Sequence, residues 1–390
     1  MYKILIAAGL ISFLFSCNAQ SSQKNKSNAS ANKSSNMVEG KDYVILKRFR
    51  VEDKYGFNQP LEVSSFVLPA SWQVNSSVQW DATKKCFPEM IQASVKATSP
   101  DGDYELTMLP VTQFDWSTDA VQLDAMRRGF YPHACYISQP TDAAGYIKYG
   151  LAPYVKAQVK SASVIQELQQ QMDAGAQQMT NTAKQAGNNA YSHRGSAAEG
   201  VLQFEDGKEG LAFCTIMQTI VTMPGTQGGM ASNIQCYAGM RIVLKYKAGN
   251  NEMARKIMST FFSSTRINPQ WMGGVQAFYA AVTSNAQNEL WKQIQITQKA
   301  QQEIGNNIIR SWEARNATTS GATKTDTDGF GQYLRGVENY TDDSGNKIEL
   351  TSGYTNAWSK GDGSYLMSNN PAFDPNVELG DTQNWKPLNK

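Results

Sequence analysis

The chain has 390 residues, of which 41% are hydrophobic and 18% charged, with a formal net charge of +2. That supplies enough apolar material for one large domain or two modest ones. The near-neutral balance gives no case for a nucleic-acid partner, because a domain that tracks phosphates is plainly basic.

The opening reads MYKILIAAGLISFLFSCNAQ, with Lys3 ahead of an apolar run of 12 residues, Ile4 to Phe15. Such a run is too short to cross a bilayer of about 30 Å as a helix and fits the h-region of a secretory signal. Its end, Leu14-Phe15-Ser16-Cys17, resembles a bacterial lipobox, in which cleavage before the cysteine is coupled to lipidation; Phe15 departs from the small residue preferred there. Residues 1–16 are therefore expected to be a signal peptide and Cys17 to carry acyl chains. The alternatives are an ordinary signal peptide with a chance cysteine, or a buried core segment. From Asn18 to about Met37 the chain holds Ser, Asn, Ala and the lysines Lys24, Lys26 and Lys33. With so little to bury, the segment is expected to stay disordered, a tether over 17–38 that holds the folded part about 25 Å from the membrane. Acyl chains contribute about 0.8 kcal/mol per buried CH₂, so several of them anchor stably. No later stretch is apolar for the roughly 18 residues a spanning helix needs.

Residues 39–272 read as an α+β domain. Strands dominate to about residue 112. Ile91, Ala93, Val95 and Ala97 alternate with Gln92, Ser94, Lys96 and Thr98, and the turn Ser99-Pro100-Asp101-Gly102-Asp103 makes a hairpin with the next strand. A helix is expected over TDAVQLDAMRRGFY, with Thr118 or Asp119 as N-cap and a stop at Gly129. DAAGYIKYGLAPYVK and the Gln- and Ala-rich run from Ser161 continue as helix. There Val164, Leu168 and Met172 make one modest apolar stripe, for core contact or for a partner. Long strands return from Gly200, with a turn at Glu205-Asp206-Gly207-Lys208. An amphipathic helix then follows, with Met253, Ile257, Phe261 and Phe262 on one face. This order describes helices packed on an antiparallel sheet and loosely resembles the PsbP/Mog1-like sandwiches.

Residues 273–315 are expected to form a long amphipathic helix, roughly Val275 to Trp312, which would reach about 57 Å if unbroken. Phe278, Val282, Leu290, Ile294, Ile304, Ile308 and Trp312 recur on one narrow stripe. That stripe packs on the protein's own sheet or on another subunit. A Ser/Thr/Gly linker over 316–329 leads to a tail, 330–390, whose turn signals at Asp342–Gly345, Ser352-Gly353 and Gly361–Gly363 mark out a small β meander. Tyr354, Trp358 and Tyr365 supply its aromatics. They serve either as packing for a sheet too small to stand alone or as an exposed row that binds a sugar or peptide. Asp326-Thr327-Asp328-Gly329 lacks the acidic residue of an EF-hand, since position 335 is Arg335.

Arg266-Ile267-Asn268-Pro269-Gln270-Trp271, followed by a long polar helix and by a tail with Arg-Gly-Val-Glu, Ser-Gly-Tyr and Trp-Ser-Lys-Gly-Asp-Gly, resembles a family of uncharacterised bacterial exported proteins and lipoproteins. The resemblance covers roughly Ser263 to Asn376. It implies architecture and export, and carries no activity and no catalytic residue.

With Cys17 assigned to lipid, Cys86, Cys135, Cys214 and Cys236 remain, and four cysteines allow three connectivities. Cys214 and Cys236 fall on neighbouring strands and are the first choice for a disulfide; the alternative is four buried free thiols. No CxxC occurs, and His133 and His193 are the only histidines, so no metal or cofactor site is expected. There is no nucleophile elbow, no P-loop and no HExxH. Cys135 with His133 is the only nucleophile–base pair the spacing offers. The expected function is a lipid-anchored cell-envelope protein with a binding or assembly role, whose partner is an envelope glycan, a peptide or another envelope protein. No acidic residue follows Cys17 closely, which favours the periplasmic face of the outer membrane. The alternatives are a carbohydrate-active or peptidase-like enzyme, and a structural subunit that contacts its complex through the long helix.

Overall fold

The computed structural model describes residues 39–283 apart from 40, 41, 58, 85, 132 and 133, and residues 337–389 apart from 343, 344, 346, 352 and 380–383. The expected signal peptide, Cys17, the tether, His133, the helix beyond Thr283 and the linker lie outside these described residues.

In chain order, β1 (Tyr43–Asp53) and β2 (Leu61–Pro69) pair antiparallel. Next come β3 (Gln73–Trp80), the short α1 (Phe87–Met90), β4 (Ile91–Thr98) and β5 (Tyr104–Leu109). The expected hairpin at Ser99–Asp103 is present, with Gly102 at φ +71° in its turn. β6 (Thr112–Ser117), α2 (Ala120–Arg127, capped by Asp119) and β7 (Tyr136–Ile137) precede a helical run. That run is α3 (Ala143–Tyr146), a π-helical turn (Ile147–Leu151) and α4 (Ala152–Tyr154). Then follow β8 (Ala157–Val164), α5 (Gln166–Gln185), β9 (Tyr191–Phe204), β10 (Glu209–Pro224) and β11 (Met230–Tyr246). Residues 161–164, which read as the start of a helix, are strand because β8 pairs along β9; tertiary pairing overrides local propensity here. The chain continues through α6 (Asn251–Ser264), β12 (Arg266–Ile267) and α7 (Pro269–Thr283). It closes with β13 (Val337–Thr341), β14 (Lys347–Thr351), β15 (Asn356–Ser359), β16 (Ser364–Ser368), α8 (Pro375–Glu378) and β17 (Lys386–Pro387).

The architecture is mixed α+β with mostly antiparallel sheets. One sheet runs β3-β4-β5-β11-β10-β9-β8, with β6 joined to β11 and β7 to β6; the other runs β12-β2-β1-β16-β15-β17. Among the strand pairs of the described residues, only β6 and β7 run parallel. One face of the larger sheet, with Leu211, Phe213, Ile242 and Leu244, packs on α6 and α7 and on Phe66 and Leu68 of β2. Its opposite face, with Ala212, Ile216, Ala238 and Val243, is covered by Tyr146, Ile147 and Leu151 of the helical run.

The tail strands occur where the turn spacing puts them, but they do not form one meander. β13 and β14 pair with each other. β15 and β16 extend the sheet of β1, Leu366 lying opposite Ile45. The last segment is therefore joined to the first strand by main-chain hydrogen bonds, which removes an open edge at β1.

Asp53, at the end of β1, is fully buried. Its Oδ2 accepts the indole N–H of Trp80 at 2.6 Å and of Trp271 at 2.9 Å, while Oδ1 accepts the backbone N–H of Gly56 at 2.8 Å and of Tyr55 at 3.2 Å. A Cβ on Gly56 would lie 2.1 Å from the Trp80 ring, so this turn admits only glycine. The Arg-x-Asn-Pro-x-Trp run surrounds this centre. Asn268 donates from Nδ2 to the Glu62 carbonyl at 2.7 Å and accepts the Gln270 N–H at 2.9 Å, capping α7. Arg266 donates to the Ser263 carbonyl at 2.6 Å, closing α6. The run is a structural latch that sets α6 and α7 against β2.

Asp53→Ala leaves two indole donors without their acceptor, at a cost of about 1–3 kcal/mol each. Urea denaturation followed by tryptophan fluorescence is expected to show a loss of about 3–5 kcal/mol in total.

Candidate binding surface

The tail aromatics do not form an exposed row. Trp358 opposes Leu366 and Ser359 opposes Tyr365, so the alternation of the strands sends Trp358 and Tyr365 to opposite faces of their sheet. Trp358, 8% exposed, meets Phe373 edge-on at 5.6 Å beside Trp385. Tyr365, 7% exposed, packs with Leu46, Val67 and Met367, and Tyr354 lies half-buried against the same cluster. Burial raises the Tyr354 phenol above its ordinary range. These three residues are packing, and the tail as a ligand platform is corrected on that ground.

The disulfide expectation is also corrected. Cys86 and Cys135 are bonded, whereas Cys214 and Cys236 are buried free thiols. Although β10 and β11 are neighbours, Cys236 faces Gln218. That is four positions along β10 from Cys214, or roughly 13 Å of strand, well beyond the reach of a disulfide. Burial pushes both thiols up to about 12. Cys135, being oxidised, is no nucleophile.

What the Cys86–Cys135 bond does is fasten the loop after α2 onto α1. The N–H of Cys135 donates to Asp115 Oδ2 at 2.6 Å, and the next residue, Tyr136, begins β7 against β6. Tyr136 is 60% exposed and its hydroxyl donates to Glu89 at 2.8 Å. That bond, and then burial, hold its phenol above the ordinary range.

A second element meets this loop. Gly150 lies over the Tyr146 ring, where a Cβ would come within 2.6 Å of Cε2, so the π-helical turn seats Tyr146 inward. Tyr146 stacks on Phe114, centroids 5.9 Å apart and rings 3° from parallel. Tyr149, within the turn, and Tyr154, past it, stay exposed, Tyr154 at 62%.

The third element is β11. Thr215 pairs with Gly239 and Phe213 with Ile242, so Met240 and Arg241 together oppose Cys214. Met240 takes φ +46°. This bulge changes which residues face the helical run, from Cys236 and Ala238 before it to Val243 after it. Arg241 is turned to the same side. Its guanidinium carbon lies 5.8 Å from the Tyr146 ring centroid and 5.0 Å from that of Tyr154. Nη1 donates to the Pro110 carbonyl at 2.8 Å. A stack thus runs outward from buried Phe114 through Tyr146 and Arg241 to exposed Tyr154, with Tyr136 alongside. Burial raises the Tyr146 phenol, and the charge on Arg241 opposes that rise.

On the same face of the larger sheet, a shallow polar cleft of about 610 Å³ is lined by Thr141, Asp142, Gln169, Arg194 and Gln218, among others. Its hydroxyl, Ser196 Oγ, accepts the Ala143 N–H at 2.8 Å. His193 is held by Thr180, and burial lowers its pKa. No base is directed at Ser196 among the described residues, which also hold no group of three or more His, Cys, Asp and Glu suited to a metal. The surface presents aromatic faces, one guanidinium and side-chain amides.

Comparisons of the chain with known protein families, with curated proteins and with solved structures find no match.

Tyr136, Tyr154 and Arg241 were not singled out in the sequence. The run Tyr146-Ile147-Lys148-Tyr149-Gly150-Leu151-Ala152-Pro153-Tyr154 carries the one local signal, tyrosines spaced about Gly150 and Pro153. Nothing local marks Arg241, because only the bulge brings it there. In a Cys17→Ser variant, the native protein is expected to show no thiol reacting rapidly with a disulfide reagent at pH 8, and two after denaturation without reductant.

Proposed function

We propose that this chain is a lipid-anchored protein of the bacterial cell envelope that binds an envelope glycan on the surface formed by Tyr136, Tyr154 and Arg241. The observation that carries the binding role is the pair of exposed tyrosines held in place by a disulfide-fastened loop and a π-helical turn. Exposed aromatic rings with a fixed backbone present flat apolar faces, with polar tips that tolerate water. The C–H faces of sugar rings fit such a surface. Exposed Met240 and Val111 adjoin Arg241 and Pro110 in the chain, and the choice of a sugar rests on the two tyrosine rings.

The anchor rests on the lipobox-like Leu14-Phe15-Ser16-Cys17 and the polar tether after it. A disulfide accords with an oxidising, extracytoplasmic location, and the side of the outer membrane that faces the periplasm is the proposed site. Metabolic labelling with palmitate is expected to mark the wild-type chain and to leave Cys17→Ala unlabelled.

For binding, the full chain in detergent is mixed with insoluble cell-wall glycan and the unbound fraction measured. Each aromatic contact contributes about 0.5–1.5 kcal/mol, so Tyr136→Ala combined with Tyr154→Ala is expected to weaken retention by about tenfold. Trp358→Phe, in the packed tail, is expected to retain wild-type binding. Equal retention by the double variant would remove this surface from the function.

A further inference from the structure

We propose that Arg241 makes the tyrosine surface selective for acidic glycans, a pyranose ring lying over Tyr154 while its carboxylate pairs with the guanidinium beneath. This rests on the glycan-binding reading and adds the chemical class of the ligand.

Arg241 is 6% exposed and is the one lysine or arginine among the described residues that is buried. The ion pairs of the described residues involve other cations, such as Arg50 with Glu62, Arg128 with Asp124 and Lys245 with Asp206, all with solvent-exposed partners. Among the described residues, no carboxylate lies within ion-pair distance of Arg241. Burying a cation without a counter-charge is costly, and the Tyr146 and Tyr154 rings offset only part of that cost. A guanidinium carries five N–H donors. Here Nη1 uses one on the Pro110 carbonyl, and the buried Nε makes no hydrogen bond among the described residues. Nε is enclosed, so an incoming acceptor meets the guanidinium at its Nη edge. A carboxylate meets the planar fork with two parallel bonds.

The direction of approach is set by Tyr154, the one exposed ring that the guanidinium touches. A ligand that stacks on Tyr154 brings its substituents to the edge of Arg241. Glu89, holding the Tyr136 hydroxyl at 2.8 Å, places one negative charge at the far rim. It therefore disfavours densely charged polyanions and admits a carboxylate borne singly on a sugar ring.

The test is titration calorimetry of the full chain in detergent with three probes: a galacturonate trimer, the matching neutral galactose trimer, and inorganic phosphate. Wild type is expected to bind the uronate at least about tenfold more tightly than the neutral trimer, the discrimination one charge-assisted bidentate contact supplies. Arg241→Gln is expected to abolish the preference, so that the uronate and the neutral trimer bind alike. Glu89→Gln, which keeps the bond to Tyr136, is expected to tighten the uronate alone. Raising salt is expected to weaken the uronate and spare the neutral trimer in the wild type, which needs no variant to fold. Equal binding of the two trimers by the wild type overturns the acidic selectivity and leaves the glycan reading standing. Phosphate binding as tightly as the uronate likewise overturns it. No binding of either trimer overturns both.

Discussion

The carboxylate of Asp53 is the interaction on which the arrangement of the two sheets depends. It belongs to β1 of the smaller sheet, yet its acceptor atoms are taken by Trp80 from β3 of the larger sheet and Trp271 from α7. A buried carboxyl group is tolerable only when its lone pairs are engaged. Two indoles and two backbone N–H groups do this without a cation. The indoles are large apolar bodies with one polar atom each, so they exclude water and supply the donors together. Removing any partner leaves the others desolvated, which is why this centre fixes angle as well as proximity.

From that joint outward, each layer positions the next. The larger sheet is covered on one face by α6 and α7 and on the other by the short helical run, so its central strands β9, β10 and β11 are buried on both sides along part of their length. The proposed binding surface adjoins that second cover. Three devices converge there, each acting over a few residues: the disulfide that holds the Tyr136 loop, the π-helical turn that turns Tyr146 inward and leaves Tyr154 out, and the bulge at Met240 that brings Arg241 across the sheet. Their joint effect is to hold a cation under an exposed ring, a costly arrangement that a packed core would not select by chance.

The tail shows the same physics with the opposite result. Its aromatic richness reads equally as a platform or as padding, because composition does not say which face of a short strand is covered. Pairing of β16 with β1 decides the matter: once Leu366 lies against Ile45, Trp358 is enclosed by Phe373 and Trp385 on one side and Tyr365 by Leu46 and Val67 on the other. The Arg-x-Asn-Pro-x-Trp run likewise becomes intelligible as structure, each of its polar atoms being used to close α6, cap α7 or hold Asp53.

Read alone, the sequence determined those features that are local in the chain. Alternation with period two located the β4–β5 hairpin, turn residues located the four tail strands, and an apolar stripe located α6, because the burial pattern of an element is written in neighbouring residues. The α+β class followed from their order. The tertiary structure alone decided which cysteines meet, which tyrosines reach solvent and that Arg241 lies beside Tyr154. The place of Arg241 depends on strand register and on a single inserted residue in β11, and the cysteine pairing on how the chain before α1 meets the loop after α2. A one-residue shift reverses every side chain beyond it, and no local pattern in the sequence records which partner strand will impose that shift.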